Sequence, residues 1–364
     1  MLHALILAGG IGRRLWPESD ENTPKQFLSR DGKNSLLAET ISRLQPLISH
    51  EHILISTTKK FSRLTEIIVN DTRVSLITEP VSRNTAPAIA LAALILVRSD
   101  PEAVMVVLPS DHFIDDTNAF LQVLKLADTL IKEDSTRLVT FGITPRSPAT
   151  GYGYIKASKP LLSSESIRMH TAITPLSVDF FTEKPDRKTA EKYIAEKGFF
   201  WNSGIFVWRA EQILDLIAQY VPELEPFVSK TARTCPCAVD NLLNAFSSLP
   251  SISVDKGVME KASNVLLIPA PFRWSDLGTF ETFSKVDNAS VDIDNNSVLG
   301  ATLFAEQASN NIVRVSLPRG NDSFIVALGG IDRLLVVLKD NKLLIVPQGR
   351  EDLILHLANK SESN

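Results

Sequence analysis

Short apolar runs alternate with segments of helical periodicity over Leu2–Phe141, and this alternation narrows the fold more than any other feature. The runs are Leu2–Ala8, His52–Thr57, Val74–Thr78, Ala103–Leu108 and Arg137–Phe141. Each has the length of a strand and reads as buried on both faces. Helical patterning fills the gaps near Ser35–Ile48, Lys59–Val69, Thr85–Val97 and Thr117–Lys132. Strands alternating with amphipathic helices predict an α/β fold with a mostly parallel sheet covered on both faces. Ligands of such sheets bind at the carboxyl ends of the strands. Three segments should therefore open onto one rim: the glycine turn after the first run, Glu79-Pro80 after the third, and Pro109-Ser110-Asp111-His112 after the fourth.

The glycine turn is suited to an anion. Gly9, Gly10 and Gly12 leave the backbone N–H groups open to close approach. Arg14 follows with a planar fork of donors, and Lys25 with a mobile point charge. The turn is neither a G-x-x-x-x-G-K-[ST] loop nor a dinucleotide fingerprint, because Leu15 stands where that fingerprint needs its third small residue. By itself, a Gly-Gly-x-Gly run after a strand is also compatible with a tight turn and nothing more. The net charge is −4, from 38 basic and 42 acidic residues, so nothing draws nucleic acid or an anionic membrane to the chain as a whole. A phosphate ligand must be attracted locally. Cys235 and Cys237, separated by Pro236, are too close for a sound disulfide and lack nearby histidines for zinc. They read as reduced, which suits a cytoplasmic protein. No apolar run has the length of a bilayer span.

A chain of 364 residues exceeds one average core. From Gly142 to Phe280 the strands Tyr152–Ala157, Val178–Glu183 and Gly204–Trp208, with helices between, read as a lid or an acceptor-binding layer on the same sheet. After about Val286 the composition shifts. Asp292-Asn295-Asn296, Asn310-Asn311, Pro318-Arg319-Gly320-Asn321 and Asp340-Asn341 punctuate short runs of Val, Leu and Ile. Leu334–Leu338 and Leu343–Val346 read as a hairpin, with a terminal helix near Glu351–Ala358. The division expected is residues 1–286 as the catalytic domain and 287–364 as a small all-β domain, its last residues frayed.

Two acidic residues stand in short apolar contexts far apart, Asp111 in LPSDH and Asp276 in WSDLGTF. Each alone could be a turn residue or cap. Together they match the one or two carboxylates that a protein contributes to a magnesium site, phosphates and water supplying the rest. In EPVSRNTAPA, Asn84 and Thr85 present polar groups at a helix start, where Thr85 also reads as the cap with Pro87 just inside. Gly153 lies in GYGYI, an alternating Gly/Tyr strand that lets a sugar approach the backbone. Glu183 and Lys184, before Pro185, can share a cleft at a strand end. Asn202, in WNSGIF, offers a hydroxyl partner. The surrounding aromatics read as core, and the charges of SVDKGVMEK as structural.

These strings, in order from Leu2 to Phe280, resemble the sugar-1-phosphate nucleotidylyltransferases. LAGGIGRRLWP and PKQF are similar to the mannose-1-phosphate guanylyltransferase branch. That branch carries Arg where this chain has Asp20, a loss of one positive charge near the triphosphate. The resemblance implies a Rossmann-like nucleotide-diphospho-sugar transferase fold with a β-helix-like tail. It implies transfer of GMP from GTP to α-D-mannose 1-phosphate, with GDP-mannose and pyrophosphate as products and Mg2+ on Asp111 and Asp276. Arg14, Lys25 and Lys184 then complete the catalytic set. Ala8, Gly9, Gly10, Gly12, Asn84, Thr85 and Ser110 would bind nucleotide, and Gly153, Glu183, Lys184 and Asn202 the sugar phosphate. A homodimer covering the tail's strand edges is implied as well. Another nucleoside triphosphate or sugar phosphate (glucose, a heptose), or a non-catalytic GDP-sugar-binding regulator, are the alternatives. Some relatives continue into an isomerase domain, and none is expected here.

Overall fold

The computed structural model describes residues 1–161, 173–229, 232–233, 239–316 and 324–362. The expectations for Cys235, Cys237 and Pro318–Asn321 lie outside the described residues. The chain forms two compact units, both discontinuous in sequence. The first comprises Met1–Gly9, Ile41–Ser110 and Ile114–Trp274, and the second Gly10–Thr40, Asp111–Phe113 and Ser275–Asn364.

The first unit is built on a nine-stranded sheet. Its strands are β1 (Leu2–Leu7), β2 (Ile53–Thr58), β3 (Ser75–Glu79), β4 (Val104–Pro109), β5 (Leu138–Ile143), β6 (Tyr154–Pro160), β7 (Leu176–Thr182), β8 (Phe199–Arg209) and β9 (Val265–Pro269). Their spatial order is β3-β2-β1-β4-β8-β5-β9-β7-β6. From β3 to β4 every pairing is parallel, as the alternation requires. The long β8 enters antiparallel between β4 and β5, so the sheet is mixed. β6 begins at Tyr154, two residues later than its Gly/Tyr pattern suggests, which leaves Gly153 just ahead of the strand.

Helix α1 (Thr85–Ser99) is apolar on nearly all sides, and it is buried from Ala86 through Leu94. A helix without a polar face belongs inside a unit. It packs in one core with Trp208 of β8 and with Ile213, Leu214 and Ile217 of helix α2 (Ala210–Tyr220). No described helix is long and apolar enough to cross a membrane.

In the second unit, β10 (Ser290–Val291), β11 (Ser297–Leu299), β13 (Ile312–Ser316), β15 (Leu334–Lys339) and β16 (Lys342–Pro347) make one sheet, and β12 (Thr302–Glu306) pairs with β14 (Ile325–Gly329). β11, β13 and β15 are parallel, as are β12 and β14. The chain therefore winds as a short β-helix-like coil. Left-handed residues at Asn295, Asn310 and Arg333 turn its corners. Asn296 and Asn311 are fully buried inside it: Asn311 Nδ2 donates to Asn296 Oδ1 at 2.9 Å, and Leu334 N donates to Asn311 Oδ1 at 2.8 Å. The β15–β16 hairpin and the terminal helix α3 (Glu351–Glu362) stand where the sequence places them.

One buried charge group holds this unit. Arg314 on β13 donates from Nε and Nη2 to both oxygens of Glu18, at 2.8 and 3.0 Å, and from Nη1 to Asp287. Its guanidinium also lies 4.9 Å from the ring centre of Phe283.

Candidate functional site

In the first unit β1 to β4 end at one edge of the sheet, at Ala8, Gly9, Glu79 and Ser110, whereas Gly10, Gly12, Asp111 and His112 of the expected rim belong to the second unit. Ala8 N donates to Ser56 O at 2.8 Å, and Ser110 N to Leu7 O at 3.1 Å, so both residues continue the parallel ladder by one step. A Cβ added to Gly9 would stand 3.7 Å from Thr58 Cγ2, an ordinary van der Waals distance. Glu79 ends β3 and is buried; it accepts from Ser56 Oγ at 2.7 Å. Burial pushes its carboxyl up, and Ser56 only partly offsets this. The cap of α1 is Asn84, not Thr85: Asn84 Oδ1 accepts Thr85 N at 2.8 Å. Thr85 is already helical, and its hydroxyl instead accepts Val254 N at 2.8 Å. This ties the helix start to the SVDKGVMEK segment.

The acceptor residues of the first unit are brought together. Lys184 follows β7 with φ 48, a left-handed turn that sets neighbours on one side which a continuing strand would set on opposite sides. Lys184 Nζ thus reaches Glu183 Oε1 at 2.7 Å. A Cβ on Gly153 would stand 2.7 Å from Glu183 Oε2 and 3.3 Å from Asn202 Cβ. What crowds Gly153 inside the protein is therefore the Glu183 carboxylate. Asn202 is fixed on both sides of its amide: Nδ2 donates to Asp255 Oδ1 at 2.9 Å, and Oδ1 accepts Gly204 N at 3.0 Å. Asp255 is the residue that sequence reasoning missed. Burial, then the nearby Glu183 charge, raise its carboxyl to about 6. The aromatics are core, as expected, with Tyr154 and Trp201 buried.

The second unit collects the other charges. Gly12 has φ 78, and a Cβ there would fall 2.4 Å from Lys25 Cβ. Only glycine suits both conditions. Lys25 N donates to Ile11 O at 3.0 Å, which sets the side chain across the turn. The Lys25 ammonium is buried; it pairs with Asp111 Oδ2 at 2.7 Å and donates to the Asp276 carbonyl. Burial opposes the charge on Asp111, but Lys25 and His112 outweigh it and hold the carboxyl below its usual range. Asp276 Oδ1 accepts Gly278 N at 3.0 Å. Both Asp276 Oδ2 and Arg14 Nη2 lie beside Gly278, 2.5 and 3.1 Å from where its Cβ would be. Arg13 is turned elsewhere, to Glu21 and to Asn359 of α3.

Asp20 is a turn residue in this unit. Its Oδ1 accepts both Asn22 N and Thr23 N at 2.9 Å, and its Oδ2 meets Lys342 Nζ of β16 at 3.1 Å. Burial opposes its charge, but these partners lower its carboxyl overall. It therefore fastens the loop to the coil.

Among the described residues no group of three or more His, Cys, Asp or Glu could cage a metal. The donors present are the ionised Asp111 and the Asp276 carboxylate beside Arg14. Such a pair fits a hard divalent cation that keeps water and takes phosphate oxygens, and does not fit a site closed by protein alone.

Residues 3–292 match the model of the nucleotidyl transferase family. A Klebsiella pneumoniae protein named mannose-1-phosphate guanylyltransferase is 36% identical over 362 residues, which are 96% of this chain and 72% of that protein. An Escherichia coli protein of the same name is 35% identical over the same shares. A Thermus thermophilus structure, described as a mannose-1-phosphate geranyltransferase, has a TM-score of 0.82 and 28% identity, covering 99% of both chains.

Proposed function

Because the chain belongs to the nucleotidyl transferase family, we propose that it transfers GMP from GTP to α-D-mannose 1-phosphate, giving GDP-mannose and pyrophosphate. The observation that carries this reading is the gathering of Arg14, Lys25, Asp111 and Asp276 around Gly12 and Gly278 in one compact unit. Their sequence positions are far apart, and their charges suit a polyphosphate and its metal.

In the proposed reaction the phosphate oxygen of the sugar attacks the α-phosphorus in line and pyrophosphate leaves opposite. That oxygen is already ionised at neutral pH, since the second phosphate pKa is about 6, so no residue need act as general base. The work of the protein is positioning and charge neutralisation. The amides of Gly9 and Gly10, the Arg14 guanidinium and the Lys25 ammonium would hold the triphosphate and stabilise the departing pyrophosphate. Lys184 would orient the sugar's phosphate, and Glu183 and Asn202 its hydroxyls. A divalent metal, proposed as Mg2+ on Asp111 and Asp276, would supply further neutralisation of the phosphates. Asn84 and Thr85 at the start of α1, with Ala8 and Ser110 on the strand rim, would receive the nucleoside. On this reading residues 1–286 are the catalytic domain and 287–364 an accessory β domain serving a homodimer, in the cytoplasm.

The test is a panel of nucleoside triphosphates against hexose and heptose 1-phosphates, read by pyrophosphate release. GTP with mannose 1-phosphate should give the largest kcat/KM. A larger value for another pair would reassign the substrates. Tight GDP-mannose binding with no turnover for any pair would make the protein a regulator instead.

A further inference from the structure

Asp255 opens the wide helical turn Asp255–Met259. Single turns of this kind are rare and often mark functional positions. The turn does not use the Asp255 side chain as a cap; Ser253 Oγ accepts Lys256 N at 3.3 Å instead. The segment is fastened at several points. Val254 N donates to Thr85 Oγ1, Glu260 Oε1 accepts Glu183 N at 2.9 Å, and Asp255 Oδ1 accepts from Asn202 Nδ2. It therefore joins the nucleoside end of the first unit to the Glu183, Lys184 and Asn202 cluster. Asp255 is half-buried as a residue, and its carboxyl lies against the Asn202 amide at the edge of that cluster.

We propose that Asp255 is an acceptor-recognition residue: with Asn202 and Glu183 it holds a ring hydroxyl of the sugar phosphate and discriminates among acceptors. Two carboxylates beside one amide are a poor structural plug, because like charges repel. They are a good receptor for hydroxyls. A carboxylate accepts from a hydroxyl, and a carboxyl bearing a proton can also donate to it. The charged groups about Asp255 are Glu183 and Lys184 at the end of β7 and, on its own segment, Lys256 and Glu260. Burial, and then the Glu183 charge, push the Asp255 carboxyl up to about 6, where both of its forms are available.

The inference rests on the proposed function only in taking a sugar 1-phosphate as the acceptor. It is tested with Asp255→Asn in the full chain, using whichever acceptor the panel above selects for the parent; a reassigned sugar alters the substrate used, not the test. The acceptor KM should rise about tenfold or more, with the GTP KM within about twofold of the parent. Deoxy analogues of the acceptor should identify one hydroxyl whose removal costs the parent about tenfold and the variant little. Binding of the sugar nucleotide product, whose diphosphate diester has no ionisation near neutrality, should vary with pH around 6 in the parent and be flat in the variant. Were Asp255→Asn to unfold, Asp255→Ser would take its place in the same comparison. An unchanged acceptor KM with no coupling to any hydroxyl would overturn the proposal, even in an enzyme confirmed as a guanylyltransferase.

Discussion

Gly10 and Gly12 differ by two positions, and the structure predicts opposite consequences for adding a methyl group to each. At Gly12, φ is 78, and the added Cβ would meet Lys25 Cβ at 2.4 Å, with Cδ and Cγ at 3.2 and 3.3 Å. An alanine in the left-handed region costs roughly 1–2 kcal/mol. Overpacking adds roughly 1–3 kcal/mol, and the stiffer unfolded chain returns about 0.4–1 kcal/mol. The net loss expected for Gly12→Ala is about 1–5 kcal/mol. Lys25 cannot simply yield, since its backbone bonds Ile11 and its ammonium bonds Asp111 and Asp276. Relief by moving Lys25 would withdraw a cation from the proposed leaving group, at a cost on the order of 10² in turnover. At Gly10 nothing lies within 4 Å of the added Cβ, and its φ is not positive. Gly10→Ala should melt within about 1 °C of the parent, and only an incoming polyphosphate would meet the methyl, so the GTP KM should rise. Thermal melting and pyrophosphate release on both proteins decide the matter. A Gly12→Ala enzyme as stable and as active as the parent, or a Gly10→Ala enzyme that is the less stable of the two, would refute the reasoning.

Arg314→Met strands Glu18 and Asp287 as buried charges and should cost about 3–5 kcal/mol in urea unfolding; adding Glu18→Gln and Asp287→Asn to it should recover most of the loss. Asp276→Asn should fold normally and lose turnover at every magnesium concentration, whereas a normal magnesium titration would remove Asp276 from the metal site. Glu79 has a raised carboxyl, so its contribution to stability is complete at pH values below the ordinary carboxylate range (about 4.3) and is lost as pH rises through the folded value. Glu79→Gln should therefore gain on the parent as pH increases, and parallel melting curves from about pH 4 to pH 8 would contradict this.

The parallel half of the sheet is legible because each strand is a closed apolar run. Expected and observed limits differ by a residue or two, as at Val74–Thr78 against Ser75–Glu79. Less was readable where partners come from distant sequence. Asp255 looks like one more charge in SVDKGVMEK until the placing of β8 brings Asn202 to it. Arg314 sits in Ile312–Ser316, where an arginine reads as facing solvent, yet it points inward to two acids that no local pattern announces. The β-helix-like winding is hidden because its turns differ in length, and the recurring signal is confined to Asn296 and Asn311. Asp20 carried a usable clue that comparison with relatives obscured. An Asp whose carboxylate accepts the backbone N–H groups two and three residues on, here Asn22 and Thr23, makes a local side-chain turn, and its carboxylate is occupied by that turn and by Lys342.

The second unit begins with Gly10–Thr40 and is completed only by Ser275–Asn364. During synthesis the glycine turn emerges early and then waits while roughly 230 residues are added, which at 5–20 residues per second is about 10–50 s. Glu18, Asp20 and Arg13 meet Arg314, Lys342 and Asn359 only after that delay. Nascent chains should therefore acquire the protected sheet of the first unit before a competent phosphate turn. Interactions this distant in sequence also slow the last folding step. A ribosome stalled before Ser275 would carry the sheet but no finished turn, and supplying the missing strands as a separate chain becomes a way to switch on a preassembled protein.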